Sequence, residues 1–318
     1  MRIGLIDVDG HNFPNLALMK LSAWHKSQGD SVEWYEPMFS GHMDKVYMAK
    51  VFSFTEDYPY FIDADEIIKG GSGYAITLEN GKEVYNKNLD APLPDEIEHM
   101  YPDYSIYNIT DTAYGFLSRG CPRGCSFCHV EAKEGRKSYK VADLSEFWSG
   151  QKNIVLCDPN ILACRDWKDL LQQLIDSKAW IDINQGLDIR LMTAEKAEMI
   201  KQMKVKGLHF AWDRYQDKDI IVPKLKEFKA ITKLDIRKLI VYVLCNYDTT
   251  LEQDLERIYT LRELGYWAYV MLYDKEHIPR GHTYKKLQRW VNNRFIFAKC
   301  KTFEDYIEGM NRGGIRGV

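Results

Sequence analysis

Cysteine is missing from the first 120 of 318 residues, and the seven that follow are an odd number. That excludes the paired framework of a small disulfide-rich secreted domain and points to reduced thiols or metal ligands. Long apolar runs are missing too. No stretch approaches the roughly 18 uncharged apolar residues of a membrane span, and residues 1–30 show no cationic leader ahead of an apolar segment. The expectation is a soluble, cytoplasmic protein with no membrane partner. No long-period repeat or low-complexity segment is found, and the length suffices for one large or two ordinary domains with full cores. Net charge is small, −3, but unevenly placed. Residues 1–112 hold 19 acidic and 8 basic side chains, net −11, and the remaining 27 acidic and 35 basic give +8. Two halves of opposite sign imply different partners.

What is present reads as alternating strands and helices. Residues 2–8 form an apolar run, followed by the turn-like Asp9-Gly10-His11-Asn12 and a periodic segment through Leu16, Leu18, Met19, Leu21 and Trp24 of helical character. Segments 31–35, 45–54 and 66–69 are further strand candidates, so residues 1–112 are expected to form a Rossmann-like α/β domain. The proline-bearing stretch from Ala91 to Tyr107 reads as a connector. Beyond it, strands are expected at 113–119, 152–158, 180–187, 207–213, 238–246 and 266–274 with amphipathic helices between them, which argues for parallel pairing. Six units fall short of a closed eight-stranded barrel but suffice for an open, partial (β/α)6 barrel over residues 113–275, its chemistry at the carboxyl ends of the strands. Residues 276–318 complete the chain as a C-terminal helical extension.

Directly after the first strand of that second domain comes Ser118-Arg119-Gly120-Cys121-Pro122-Arg123-Gly124-Cys125-Ser126-Phe127-Cys128. Three thiols lie within eight residues, and two glycines and a proline free the backbone to fold around an inorganic body and aim sulfurs inward. Such spacing suits a cluster with three protein-ligated irons and one left open. Structural zinc is the competing reading, but it calls for a fourth Cys or His at regular spacing, and His129 is too close to Cys128 to serve.

Cys-x-x-x-Cys-x-x-Cys with the aromatic Phe127 before the last cysteine, at the end of a first barrel strand, resembles the radical S-adenosylmethionine superfamily. The wording SRGCPRGCSFC behind an α/β domain resembles the branch containing cobalamin-domain enzymes and methylthiotransferases. The resemblance implies a 4Fe-4S cluster on Cys121, Cys125 and Cys128, its fourth iron chelated by S-adenosylmethionine. It further implies reductive cleavage of that cofactor, giving a 5′-deoxyadenosyl radical that takes hydrogen from a substrate. An electron donor such as flavodoxin or ferredoxin is implied with it.

Cofactor contacts implied by the resemblance fall at later strand ends. They are Asp158 and Asn160 after the second strand, where a Gly-Gly-Glu-like wording is absent, then Gln185, Asp188 and Arg190 at the third, Asp213 at the fourth and Asn246 at the fifth. An alternative for Asp188 and Arg190 is a helix cap with an ion pair. Cys157, Cys164, Cys245 and Cys300 lack the grouping of a second cluster, and Cys157 and Cys245 read as small core residues.

The loop Asp9-Gly10-His11-Asn12-Phe13-Pro14 resembles the Asp-x-His-x-x-Gly loop of cobalamin domains. Pro14 replaces the final glycine and fixes φ without an amide hydrogen, so cobalamin is not expected. Gly70-Gly71-Ser72-Gly73 is a weak phosphate-loop match. Methylthiotransferases carry three more cysteines in their first domain, absent here, and residues 276–318 are short for an added RNA-binding domain. An RNA-modifying enzyme of that kind therefore stands behind a radical enzyme of unidentified substrate, and a non-catalytic iron–sulfur or zinc binding module is the alternative of another class. Lys224, Lys226, Lys229 and Lys233, with Lys285, Lys286 and Arg289, would suit an anionic substrate such as a nucleotide or phosphorylated metabolite. As a competing reading they are the solvated faces of two amphipathic helices.

Overall fold

The computed structural model describes residues 1–79 and 82–311, and compactness divides the chain into Met1–Ala179 and Trp180–Val318. The boundary expected near residue 112 falls inside the first unit.

In the first unit, β1 (Arg2–Asp7), β2 (Ser31–Trp34), β3 (Met43–Ala49) and β4 (Ala64–Gly70) form an all-parallel sheet in the order β2-β1-β3-β4. Helix Leu16–Ser27 makes the crossover from β1 to β2. Asn15 starts it, its side-chain oxygen accepting from the N–H of Ala17 and Leu18. Leu18 and Leu21 of this helix pack on Ile3 and Leu5 of β1 with Ile97 of the connector. A hairpin of β5 (Ile76–Glu79) and β6 (Lys82–Tyr85), not among the expected strands, follows. Next come β7 (Thr112–Gly115), the two-residue β8 (Ser118–Arg119) and β9 (Tyr139–Lys140), and β10 (Asn153–Leu156). β10 pairs parallel to β7, and β8 pairs antiparallel to β9.

Two strands stop earlier than their residue types suggest, for one reason: a carboxylate takes the backbone donors. β3 ends at Ala49, and not in the aromatic run to Phe54, because Asp9 accepts from the N–H of Val51 and, at 2.6 Å, from the Thr55 hydroxyl. The strand expected over 113–119 breaks after Gly115, because the N–H groups of Leu117 and Ser118 turn to Asp158.

The second unit is a parallel sheet of β11 (Trp180–Leu187), β12 (Lys204–Ala211), β13 (Leu239–Cys245) and β14 (Trp267–Leu272), paired in chain order. Helices Ala194–Gln202, Lys218–Thr232 and Leu251–Glu263 connect the strands, and helices Thr283–Asn292, Arg294–Lys299 and Phe303–Asn311 follow β14. Thr250 and Gln253 form a reciprocal capping box at the start of Leu251–Glu263.

That helix carries Asp254 and Arg257, both completely buried and paired side to side. Arg257 donates to the carbonyls of Trp212, Asp213 and Leu244, tying the chain beyond β12 to the end of β13, and Asp254 also accepts from the Thr249 hydroxyl at 2.6 Å. Removing one member of a buried pair strands the other charge. Among the described residues no helix is long and apolar enough to cross a membrane. Arg257→Ala is expected to lower unfolding free energy by about 3–5 kcal/mol in urea titration, and a loss under about 1 kcal/mol would show that the pair does not hold the strand ends.

Candidate metal and cofactor site

β7 runs through Phe116 and Leu117 into β8, and the β8–β9 pair closes a lasso over residues 120–138 that contains all three clustered cysteines. Gly120 begins it at φ +81°, and a Cβ there would lie 2.1 Å from the carbonyl oxygen of Lys137, so only glycine fits. Glu134, in the short helix Val130–Glu134, accepts from the Gly120 N–H at 2.9 Å and from Arg119 Nη1 at 3.0 Å. The Cys121 N–H reaches the carbonyl of Gly135, and the Cys128 N–H that of Cys125 at 2.9 Å, a tight turn joining the last two cysteines.

All seven cysteines are thiols. Cys121 and Cys125 are half-buried and Cys128 is exposed, while Cys157, Cys164, Cys245 and Cys300 are buried. The expected convergence of three sulfurs is not formed: among the described residues no three His, Cys, Asp or Glu side chains group as a metal site. Thiols have little attraction for one another, so it is ligation that draws them together. Phe127 is half-buried between Cys125 and Cys128.

Two expected cofactor residues lie against this loop. Asp158 is fully buried, and its carboxylate accepts from the N–H of Leu117 at 3.1 Å, from the N–H of Ser118 and from the Ser118 hydroxyl at 2.7 Å. It thereby anchors the strand-to-loop corner. Burial pushes its carboxyl up to about 6 against the pull of those donors. Asn160, 2% exposed, donates Nδ2 to Cys121 Sγ at 3.5 Å, and its Oδ1 is buried without a hydrogen-bond partner. Three thiols on a shaped loop beside an orphaned amide oxygen fit a thiolate-bound cluster and a further polar ligand, although the ligand geometry is not preformed.

The other expected residues lie in the second unit. Asp188 begins a 3₁₀ turn and accepts from Arg190 N and, at 2.8 Å, Nε, while Arg190 Nη1 reaches Asp217 at 2.6 Å. This is the geometry of the cap-and-ion-pair reading. Asp213 is half-buried, and burial raises its carboxyl to about 6 despite the nearby Arg257 and Arg190 guanidiniums. Gln185 is exposed at the end of β11, and Asn246, at φ +64°, donates to the carbonyl of Tyr273 at 3.3 Å. Thus Asp188, Arg190 and Asp217 form one charged group, and Asp188 and Arg190 act electrostatically on Asp213. Sequence reasoning missed Asp254 and Arg257, whose i, i+3 spacing was visible but whose burial was not. It also missed Asp182, His209 and Tyr242 on the strands.

No protein-family model matches the chain. A segment of 122 residues, 34% of the chain, is 26% identical to a CDK5RAP1-like protein of Oryza sativa subsp. japonica. The match covers 20% of that relative, so the similarity spans about a fifth of its length.

Asp158 supplies a pH test. Its raised native value lies above the unfolded carboxyl near 3.8, so its contribution to stability is full below about pH 4 and lost as pH rises through about 6. Wild type should therefore lose stability relative to Asp158→Asn between these limits, by on the order of 1–3 kcal/mol in urea titrations at a series of pH values. Parallel curves would contradict the buried, proton-linked carboxylate.

Proposed function

We propose that the chain is a radical S-adenosylmethionine enzyme, with Cys121, Cys125 and Cys128 holding a 4Fe-4S cluster. The observation that carries this reading is the three-thiol lasso, closed by β8 and β9 and held at its base by Asp158. The fold class proposed with it is a partial (β/α)6 barrel, taken from six strands in chain order, behind a Rossmann-like domain. The similarity to the rice CDK5RAP1-like protein is a coarse pointer to an enzyme of the methylthiotransferase branch.

When bound, the cluster and S-adenosylmethionine supply one-electron cleavage of the cofactor and hydrogen-atom abstraction from substrate. The chain's own contribution is placement. Gly120 and Glu134 set the path of the loop. Asp158 fixes the corner from which Cys121 projects, and Asn160 offers its amide beside that sulfur. Phe127 lies half-buried between two of the proposed ligand cysteines. In the second unit, Asp188, Arg190 and Asp213 offer charge-assisted hydrogen bonds suited to the ribose hydroxyls and carboxylate of the cofactor. A small redox protein serves as electron donor, and the lysine-bearing helices favour an anionic substrate.

The test is anaerobic incubation of reconstituted, reduced protein with S-adenosylmethionine. 5′-Deoxyadenosine and methionine should form before the true substrate is known, since proximity of cofactor and electron donor suffices for slow cleavage. Cys121→Ala, Cys125→Ala and Cys128→Ala should each abolish cleavage, and Cys300→Ala should leave it nearly intact. Cleavage that survives Cys125→Ala would overturn the ligand set, and a bound metal with no cleavage under strong reductant would favour the binding module.

A further inference from the structure

An open sheet ends in edge strands, whose unpaired N–H and C=O groups can pair with another chain. The sheet of the first unit has two edges, β2 and β4. β2 has four residues, whereas β4 has seven and pairs only with β3 among the described strands. That ladder closes with the Lys50 N–H on the Gly70 carbonyl at 3.0 Å. Backbone groups alternate in direction along a strand, so Ile68 also turns toward β3, and Ile67 and Lys69 turn their N–H and C=O groups outward.

The side chains of this edge are as open as its backbone. Ile67 is 44% exposed, and the side chains of Asp65 and Lys69 are 69% and 48% exposed. Asp65 meets His42 at 3.2 Å and Lys69 meets Asp57 at 2.7 Å, exposed pairs of the kind that contribute little. Tyr60 and Phe61, which lead into the strand, are 64% and 82% exposed. Charge on an edge ordinarily repels a passing strand. On β4 its order matters, because one negative and one positive residue stand two places to either side of Ile67.

We propose that β4 is a self-recognition edge, on which two copies of the chain pair antiparallel about a two-fold axis at Ile67 and join their sheets into one. In that register the two Ile67 residues exchange backbone hydrogen bonds, and each Asp65 stands opposite the Lys69 of the second copy, so opposite charges support the pairing. Neighbouring registers lack this. Centring on Asp65, Glu66 or Lys69 sets like charges face to face, and centring on Ile68 sets Ile67 against Lys69. The rings of Tyr60 and Phe61 add apolar contact at both ends of the ladder. A contact of this kind, the same patch on both copies, closes at two chains. The inference concerns the first sheet alone and holds with or without cluster and S-adenosylmethionine.

The experiment is sedimentation velocity of the full chain under reducing conditions over a series of concentrations, which should show a monomer–dimer equilibrium. Lys69→Asp sets like charges opposite each other twice per dimer and should weaken association about tenfold or more. Adding Asp65→Lys to it restores opposite charges and should restore the dimer. Ile67→Pro removes an outward N–H that β3 does not use, so it should abolish the dimer and leave circular dichroism unchanged. If these variants fail to fold, cysteine cross-linking carries the test. Two copies of position 67 would face each other with Cα atoms about 5.5 Å apart, within disulfide reach, whereas two copies of position 65 would lie about 13 Å apart along the strands. Mild oxidation should therefore join Ile67→Cys chains through position 67, read by mass spectrometry of the linked peptide, and leave Asp65→Cys chains unlinked there. A chain that stays monomeric at about 100 μM, a dimer indifferent to Lys69→Asp and Ile67→Pro, or equal linking through positions 65 and 67 would overturn the proposal.

Discussion

Charge buried at the carboxyl ends of parallel strands must be met by hydrogen bonds at once, because neither water nor a neighbouring strand is there to meet it. The chain answers this in both units, with opposite signs. In the first, the Asp158 carboxylate takes the N–H groups of Leu117 and Ser118, which would otherwise extend β7. In the second, the Arg257 guanidinium takes the carbonyls of Trp212, Asp213 and Leu244, with Asp254 balancing its charge. Each buried charge ends or anchors a strand where a loop begins. The cysteine lasso follows from the first, and the placement of Asp213 from the second.

Strand positions in the second unit were legible because each carries an apolar alternate face that helices cover, as in Leu239, Val241 and Val243. The three-cysteine loop was legible because its spacing and glycines are local. What escaped depends on contacts distant in sequence. Asp9 reaches Val51 and Thr55, so β3 ends before its aromatic run. Asp158 reaches back 40 residues to Ser118. The β5–β6 hairpin is the exception, since Ile76-Thr77-Leu78-Glu79 alternates apolar and polar residues ahead of an Asn-Gly dipeptide, a local signal that was passed over. Asp182 and His209, 27 residues apart, are brought within 3.5 Å only by the parallel register of β11 and β12.

The same comparison separates two kinds of expected site residue. Asn160 stands against Cys121 with an amide oxygen to spare, which spacing alone could not have shown. Arg190 is engaged by Asp188 and Asp217, so any role toward a cofactor carboxylate involves competition with these two acidic groups. Asp158 acts through the backbone it holds, as a positioning group for the loop that follows.

The central claim is that three thiols on one loop hold a cluster with one iron open to an exogenous ligand. Mössbauer spectroscopy of anaerobically reconstituted protein tests it most directly. The account predicts a spectrum of one 4Fe-4S cluster per chain, in which about one iron in four changes its parameters when S-adenosylmethionine is added. A spectrum indifferent to S-adenosylmethionine, or a chain that takes up one zinc and no iron, would contradict it.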